Sequence, residues 1–163
     1  MKTLLVLRHA KSSWSDSSLA DHDRPLNERG QRDAPRVGHL VREQRLAPDV
    51  IISSDAVRAQ RTAEAVAEAA HYAGEIRLEP LLYGAATDDI MVVLRAAPED
   101  AATVLIVGHN PGLEALVALL TGEPQDMPTA ALAQVVLPLD RWRDLDESTR
   151  GTLVDCWRPK ELE

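Results

Sequence analysis

Short apolar runs alternate with longer amphipathic stretches along this chain. Residues 3–7 (TLLVL), 49–52 (DVII) and 103–107 (TVLIV) are the runs, and the pattern predicts strands buried on both faces of a parallel sheet. Between them lie segments with helical periodicity. Residues 28–46 follow Asn27, a suitable cap, and carry Val37, Leu40 and Val41 on one face, with Pro35 expected to bend the helix. Residues 55–73 place Ala59, Ala63, Val66 and Ala70 in one stripe, and residues 87–97 and 111–121 are the next helices. Strands alternating with helices predict βαβ units, hence an α/β fold whose sheet is covered on both sides. The tail differs: residues 131–137 and 151–157 read as strands, joined by a charged segment, 140–150, without a readable element. With no repeat or linker composition, one domain spanning residues 1–163 is expected.

Composition narrows the function classes. The chain is 45% apolar and 27% charged, enough to bury a core. Only 3% is aromatic and Phe is absent, so Leu, Val, Ile and 23 Ala must fill that core. A net charge of −8 argues against nucleic-acid or membrane-surface partners, which favour the opposite sign. The single cysteine, Cys156, excludes an internal disulfide and reads as a small buried hydrophobe. The longest apolar stretches, residues 3–7 and 101–107, are too short for a membrane span, and the first is too short for a signal-peptide core, so a cytoplasmic protein is expected.

Ligands of open α/β sheets bind beyond the carboxyl ends of the strands. The three runs are followed by Arg8-His9-Ala10-Lys11, Ser53-Ser54-Asp55-Ala56-Val57-Arg58 and Gly108-His109-Asn110-Pro111-Gly112. Two histidines and three cations thus collect at one sheet edge of an acidic chain. Taken singly, each is unremarkable: either histidine reads as a strand-end residue bonded to a carbonyl, and Arg58 as a solvated arginine. Their location adds weight. Asn110 is a good cap and Pro111 fits the first helical position, which places His109 beside a helix N-terminus that favours an anion. Arg58 falls in the first turn of its helix, where a cation opposes the macrodipole unless an anion lies between them. Together these groups suit phosphoryl transfer. Arginine forks match phosphate oxygens. A neutral histidine, kept so by flanking cations and fixed in its tautomer by a carbonyl, attacks phosphorus. A second histidine, protonated, donates to the transferring oxygens. No carboxylate cluster suggests a metal, and no cofactor is expected.

Arg8-His9-Ala10, Ser54-x-x-x-Arg58-Ala59-x-x-Thr62 and Val107-Gly108-His109-Asn110-Pro111 resemble motifs of the histidine phosphatase superfamily, the phosphoglycerate-mutase-like proteins. Arg24-Pro25-Leu26-Asn27-x-x-Gly30 and Trp157-Arg158-Pro159-Lys160 agree, and the chain is most similar to the small SixA-type phosphohistidine phosphatases. The resemblance implies a three-layer α/β/α sandwich with a mostly parallel central sheet. It implies His9 as the nucleophile that becomes phosphohistidine, Arg8 and Arg58 as the clamp, and His109 as a donor. Arg24 corresponds to an arginine near the phosphate in small members, and Lys11 and Asn110 join it as candidate substrate-binding residues.

Two positions depart from the family pattern. Ala10 stands where glycine is usual, and Gly84 stands where larger members carry a glutamate acid. Glu79 lies a few positions early and is expected to cap a turn or face solvent. An alkoxide needs a proton donor to leave, whereas imidazole leaves well once protonated, so phosphohistidine in a protein is the favoured substrate. The partner would then be a phosphorylated protein such as a histidine-containing phosphotransfer domain. A small phosphorylated molecule (a sugar or nucleotide phosphate) is the alternative substrate, and a non-catalytic phosphate-binding regulator is the alternative class. Asp16, Asp21, His22 and Asp23 lie in the loop after His9 and carry no assigned role. Trp14 either lines the pocket mouth or anchors that loop, while His39 and His71 read as ordinary helix residues.

Overall fold

The computed structural model describes residues 1–162. Its strands are β1 (Lys2–Arg8), β2 (Val50–Ser53), β3 (Ile76–Leu78), β4 (Thr103–Gly108), β5 (Leu132–Leu137) and β6 (Thr152–Trp157). They form one sheet in the order β3-β2-β4-β1-β5-β6. The first four are mutually parallel, whereas β5 runs antiparallel to β1 and β6 antiparallel to β5. The helices are α1 (Glu28–Glu43), α2 (Val57–Ala69), α3 (Thr87–Arg95) and α4 (Gly112–Thr121).

Side-chain alternation along β1 divides the core in two. Leu5 and Leu7 pack with Val37 and Val41 of α1 and with Ala59, Ala63 and Val66 of α2. Leu4 and Val6 face the other way, into Ile90 and Leu94 of α3 and Leu113 and Leu116 of α4. Each face of the sheet therefore carries two helices, the three-layer α/β/α sandwich expected. Small residues let the layers approach closely. A Cβ on Gly38 of α1 would lie 2.5 Å from the Ala69 Cβ and 2.7 Å from the Val66 carbonyl oxygen of α2, so the α1–α2 contact depends on a bare backbone there.

Several boundaries move. The three residues of β3 are too few to show a period and were not predicted. Helix α1 ends at Glu43 and α2 at Ala69, each before a residue of positive φ, Arg45 (φ 56°) and His71 (φ 57°) respectively. Pro35 lies inside α1 without ending it, and Asn27 caps that helix by accepting the Gly30 N–H at 2.9 Å. At α4 the expected cap is displaced by one residue. Pro111, joined to Asn110 by a cis peptide bond, precedes the helix, which begins at Gly112. The charged segment holds a 3-10 turn, Trp142–Asp144, pinned by fully buried Trp142, whose indole donates to the Ala101 carbonyl at 2.8 Å. Among the described residues no helix is long and apolar enough to cross a membrane.

Candidate active site

The carboxyl ends of β1, β2 and β4 lie side by side, and β1 and β4 are paired through Arg8 and Gly108. The residue after each strand is therefore delivered to one place. His9 is held from several directions. Its N–H donates to the Gly108 carbonyl at 3.1 Å, and its own carbonyl accepts the Ala130 N–H at 3.0 Å. The next N–H, that of Ala10, donates to Thr62 Oγ1 at 2.9 Å, and the Thr62 hydroxyl donates to the Arg58 carbonyl at 2.7 Å. Ala10 itself is fully buried in the α1–α2 core, which explains a methyl group where the family usually has none.

The His9 ring is buried, with Nδ1 2.7 Å from the Ala10 carbonyl. A carbonyl only accepts, so Nδ1 carries the proton and Nε2 keeps its lone pair. Burial pushes the His9 pKa down to about 3 against the opposing bond to Ala10, with His109, Arg58 and Arg8 lowering it further. Desolvation outweighs the flanking cations that the sequence suggested as the cause.

The His109 ring centroid stands 5.0 Å from that of His9. Its Nε2 is 2.8 Å from Ser54 Oγ, which also accepts the Ala56 N–H at 3.2 Å. When the Ser54 hydroxyl donates to His109 Nε2, the ring's own proton sits on Nδ1. Burial, then Arg58, lowers the His109 pKa to about 4, with Asp21 opposing. These influences favour the neutral ring, where the reaction expected from the sequence has it protonated, and a neutral ring still presents one N–H donor.

Arg8, the last residue of β1, donates from Nη1 to the Met127 carbonyl at 3.1 Å. Burial lowers its pKa, and Glu114 opposes that shift. Arg58, in the first turn of α2, is buried and held through Nη1 and Nη2 by Asp21. Among the described residues, four buried side-chain polar atoms lack a hydrogen-bond partner, and three of them are Arg8 Nε, Arg58 Nε and His109 Nδ1. Buried polar groups are nearly always satisfied, so these three unpartnered nitrogens, on residues that act electrostatically on His9, are what a bound anion would satisfy.

These are the positions on which the chain resembles a known family, and a family model bears on them. The model of the histidine phosphatase superfamily (branch 1) matches residues 4–88. The chain belongs to the histidine phosphatase superfamily. An uncharacterized chloroplastic protein of Arabidopsis thaliana is 33% identical over 144 residues, covering 82% of this chain and 66% of that protein. The chain thus spans slightly under two thirds of that relative's length. Among solved structures, one described as the phosphohistidine phosphatase SixA of Nakamurella multipartitia superposes with a TM-score of 0.86 at 29% identity, covering 97% of this chain and 96% of that one. A protein histidine phosphatase SixA complexed with tungstate gives a TM-score of 0.84 at 26% identity, with 99% of each chain covered.

The remaining candidates have other engagements. Arg24 donates to Ser12 Oγ at 2.7 Å and to Asp21 Oδ1, and its guanidinium lies 3.5 Å from the Trp14 ring centroid. Trp14 thus anchors its loop through Arg24 while staying largely exposed. Asn110 donates from Nδ2 to the Met127 carbonyl at 2.8 Å and accepts the Glu114 N–H at 3.3 Å, which ties α4 to the Arg8 partner. Lys11 offers its carbonyl to the Asn27 N–H at 3.0 Å. Glu79 caps the turn Pro80–Leu82 by accepting the Leu81 N–H, and Gly84 takes φ 66° beside open space. A pocket of about 370 Å³ opens next to His109, lined by Gly84, Ala85, Pro111 and Ala115 among others. Sequence reasoning missed Tyr83, whose ring meets His109 edge-on at 5.5 Å and whose hydroxyl reaches Asp21 Oδ2 at 2.6 Å. The available signal was its place beside Gly84, where the family's acid would stand.

Proposed function

We propose that the protein is a phosphatase working through a phosphohistidine intermediate at His9, with phosphohistidine in a partner protein as its substrate. One observation carries the reading: a neutral imidazole with a free Nε2 lone pair stands among three buried, unpartnered nitrogens, on Arg8, Arg58 and His109. In this reading Nε2 attacks phosphorus while the bond from phosphorus to the leaving nitrogen breaks and that nitrogen takes a proton from solvent water. The transferring oxygens receive the guanidinium and His109 N–H groups. Water then attacks the phosphoenzyme, the P–Nε2 bond breaks, its electron pair returns to Nε2, and phosphate leaves. The guanidiniums supply the charge stabilisation, and no step is assigned to a metal or cofactor.

The choice of a phosphoramidate over an alkyl ester rests on the leaving group. Gly84 has no side chain, and the Glu79 carboxylate is engaged with the Leu81 N–H. An imidazole needs less help from a positioned acid than an alkoxide does. The similarity to SixA phosphohistidine phosphatases supports the same choice. Incubation with a labelled phosphohistidine protein should release phosphate and leave a base-stable, acid-labile label on the enzyme, and His9→Ala should lose both. A variant with wild-type turnover overturns the mechanism. A panel setting phosphoramidates against sugar and nucleotide phosphates tests the substrate class, and faster turnover of the esters overturns it.

A further inference from the structure

Arg58 reaches the site already committed on one side. Its Nη1 donates to the Asp21 carbonyl at 2.7 Å and its Nη2 to Asp21 Oδ2 at 2.9 Å. The same Oδ2 accepts the Tyr83 hydroxyl at 2.6 Å, and Oδ1 accepts Arg24 Nε and Nη2 at 3.2 and 3.1 Å. One carboxylate therefore joins the loop after His9 to α2 and to the Tyr83 ring that packs against His109.

We propose that Asp21 is a positioning residue: it grips the Arg58 guanidinium by both terminal nitrogens, aims the remaining N–H groups at the transferring phosphoryl group, and steadies His109 through Tyr83. The inference rests on reading Arg58 as a phosphoryl ligand. A guanidinium has five N–H groups; two are taken by Asp21, and Nε is buried without a partner among the described residues. Fixing a long cation before the reaction removes freedom that would otherwise be lost in the transition state. The arrangement has a cost, because an anion behind Arg58 weakens its attraction for a phosphate dianion. A carboxylate in such a place is useful only where aim matters more than charge. Asp21 does not serve as a proton donor: the Tyr83 hydrogen bond above all, with Arg58 and Arg24, holds its carboxyl well below the usual range despite partial burial. The loop has a second anchor in His22 Nε2, 2.9 Å from Asp55 Oδ1, so removing the Asp21 charge leaves the segment attached.

Asp21→Asn in the full chain tests the proposal, with phosphoramidate as substrate and inorganic phosphate as the binding probe. Turnover should fall roughly 10- to 100-fold without a rise in KM, and phosphate should bind roughly 3- to 30-fold tighter by isothermal titration. Asp21→Glu should recover part of the turnover, and the melting temperature should stay within a few degrees of wild type. Wild-type turnover in Asp21→Asn overturns the proposal, as does a loss of phosphate affinity parallel to the loss of turnover, which is what a merely structural role would give. Should the wild type hydrolyse no phosphoramidate, the phosphatase reading fails and the titration alone judges Asp21: tighter phosphate supports the proposal, and unchanged or weaker phosphate overturns it.

Discussion

Replacing Ser54 by Ala removes one hydroxyl that touches no substrate in the proposed reaction, yet it should act on chemistry. Ser54 is fully buried, and its Oγ stands 2.8 Å from His109 Nε2. Without it Nε2 has no partner, and the His109 ring loses the one side-chain hydrogen bond that fixes its orientation. The donor proposed for the transferring oxygens is then no longer held in place. Losing one preorganised donor costs about 2.7–4 kcal/mol of transition-state stabilisation, or roughly 10²–10³ in kcat. The stability cost is smaller. The bond to the Ala56 N–H is a long one, 3.2 Å, and leaving one buried ring nitrogen unsatisfied costs about 1–3 kcal/mol. The variant should therefore melt several degrees lower but stay folded at assay temperature, so that rate and stability separate. Rapid-quench measurement of phosphoenzyme formation in a single turnover gives the rate. A rate within about twofold of wild type would refute the reasoning.

Two further outcomes follow from the same geometry. The folded-state pKa values of His9 and His109, about 3 and about 4, lie below the ordinary 6.5, so the unfolded chain binds their protons first as pH falls. Their contribution leaves stability intact above about pH 6.5 and erodes it below, by up to about 1.4 kcal/mol per pH unit for each ring until its folded pKa is reached. The exposed His22, raised chiefly by its hydrogen bond to Asp55, works in the opposite direction. Urea midpoints measured across this range should drop toward acid, and the double variant His9→Ala/His109→Ala should flatten the profile; a flat wild-type profile would contradict the burial of the rings. Thr62→Val should strand the Ala10 N–H, which a fully buried hydroxyl satisfies, while the Arg58 carbonyl keeps its backbone partner within α2. The expected loss is about 1–3 kcal/mol, read by chemical denaturation, and a neutral substitution would mean the His9 segment is not held through Thr62.

What could be read from residue order was whatever local pattern controls. Strands β1 and β4 announce themselves because both of their faces are buried, and His9 and His109 follow because strand ends deliver side chains to one edge. Asn27 caps α1 as its type suggests. The failures have long-range or solvent origins. Strand β3 exists because β2 offers it a partner, not because its three residues show a period. Asn110 sits one residue earlier than a cap of α4 would, yet its Oδ1 still accepts the Glu114 N–H while its amide nitrogen donates to the Met127 carbonyl, a partner the sequence does not show. The burial that depresses the His109 pKa is likewise invisible in the sequence, where only neighbouring charge can be read. Asp21 stayed without a role because its partners lie 37 and 62 residues away, at Arg58 and Tyr83.

The distribution of charge explains why geometry has to carry the reaction. Arg58 has the Asp21 carboxylate behind it, and Glu114, which accepts the Met127 N–H at 2.8 Å, acts on Arg8. Both histidines are neutral near pH 7. In the proposed reaction a phosphate dianion would meet two guanidiniums whose charge is already partly answered. Two unopposed arginines would hold substrate and product alike, and uniform binding does not raise turnover. Opposed arginines bind the released phosphate less tightly while their N–H groups stay in place for the transition state. In such a site, carboxylates behind the phosphate ligands favour release at the expense of ground-state affinity, and the buried framework of Thr62, Ser54 and Met127 preserves the aim.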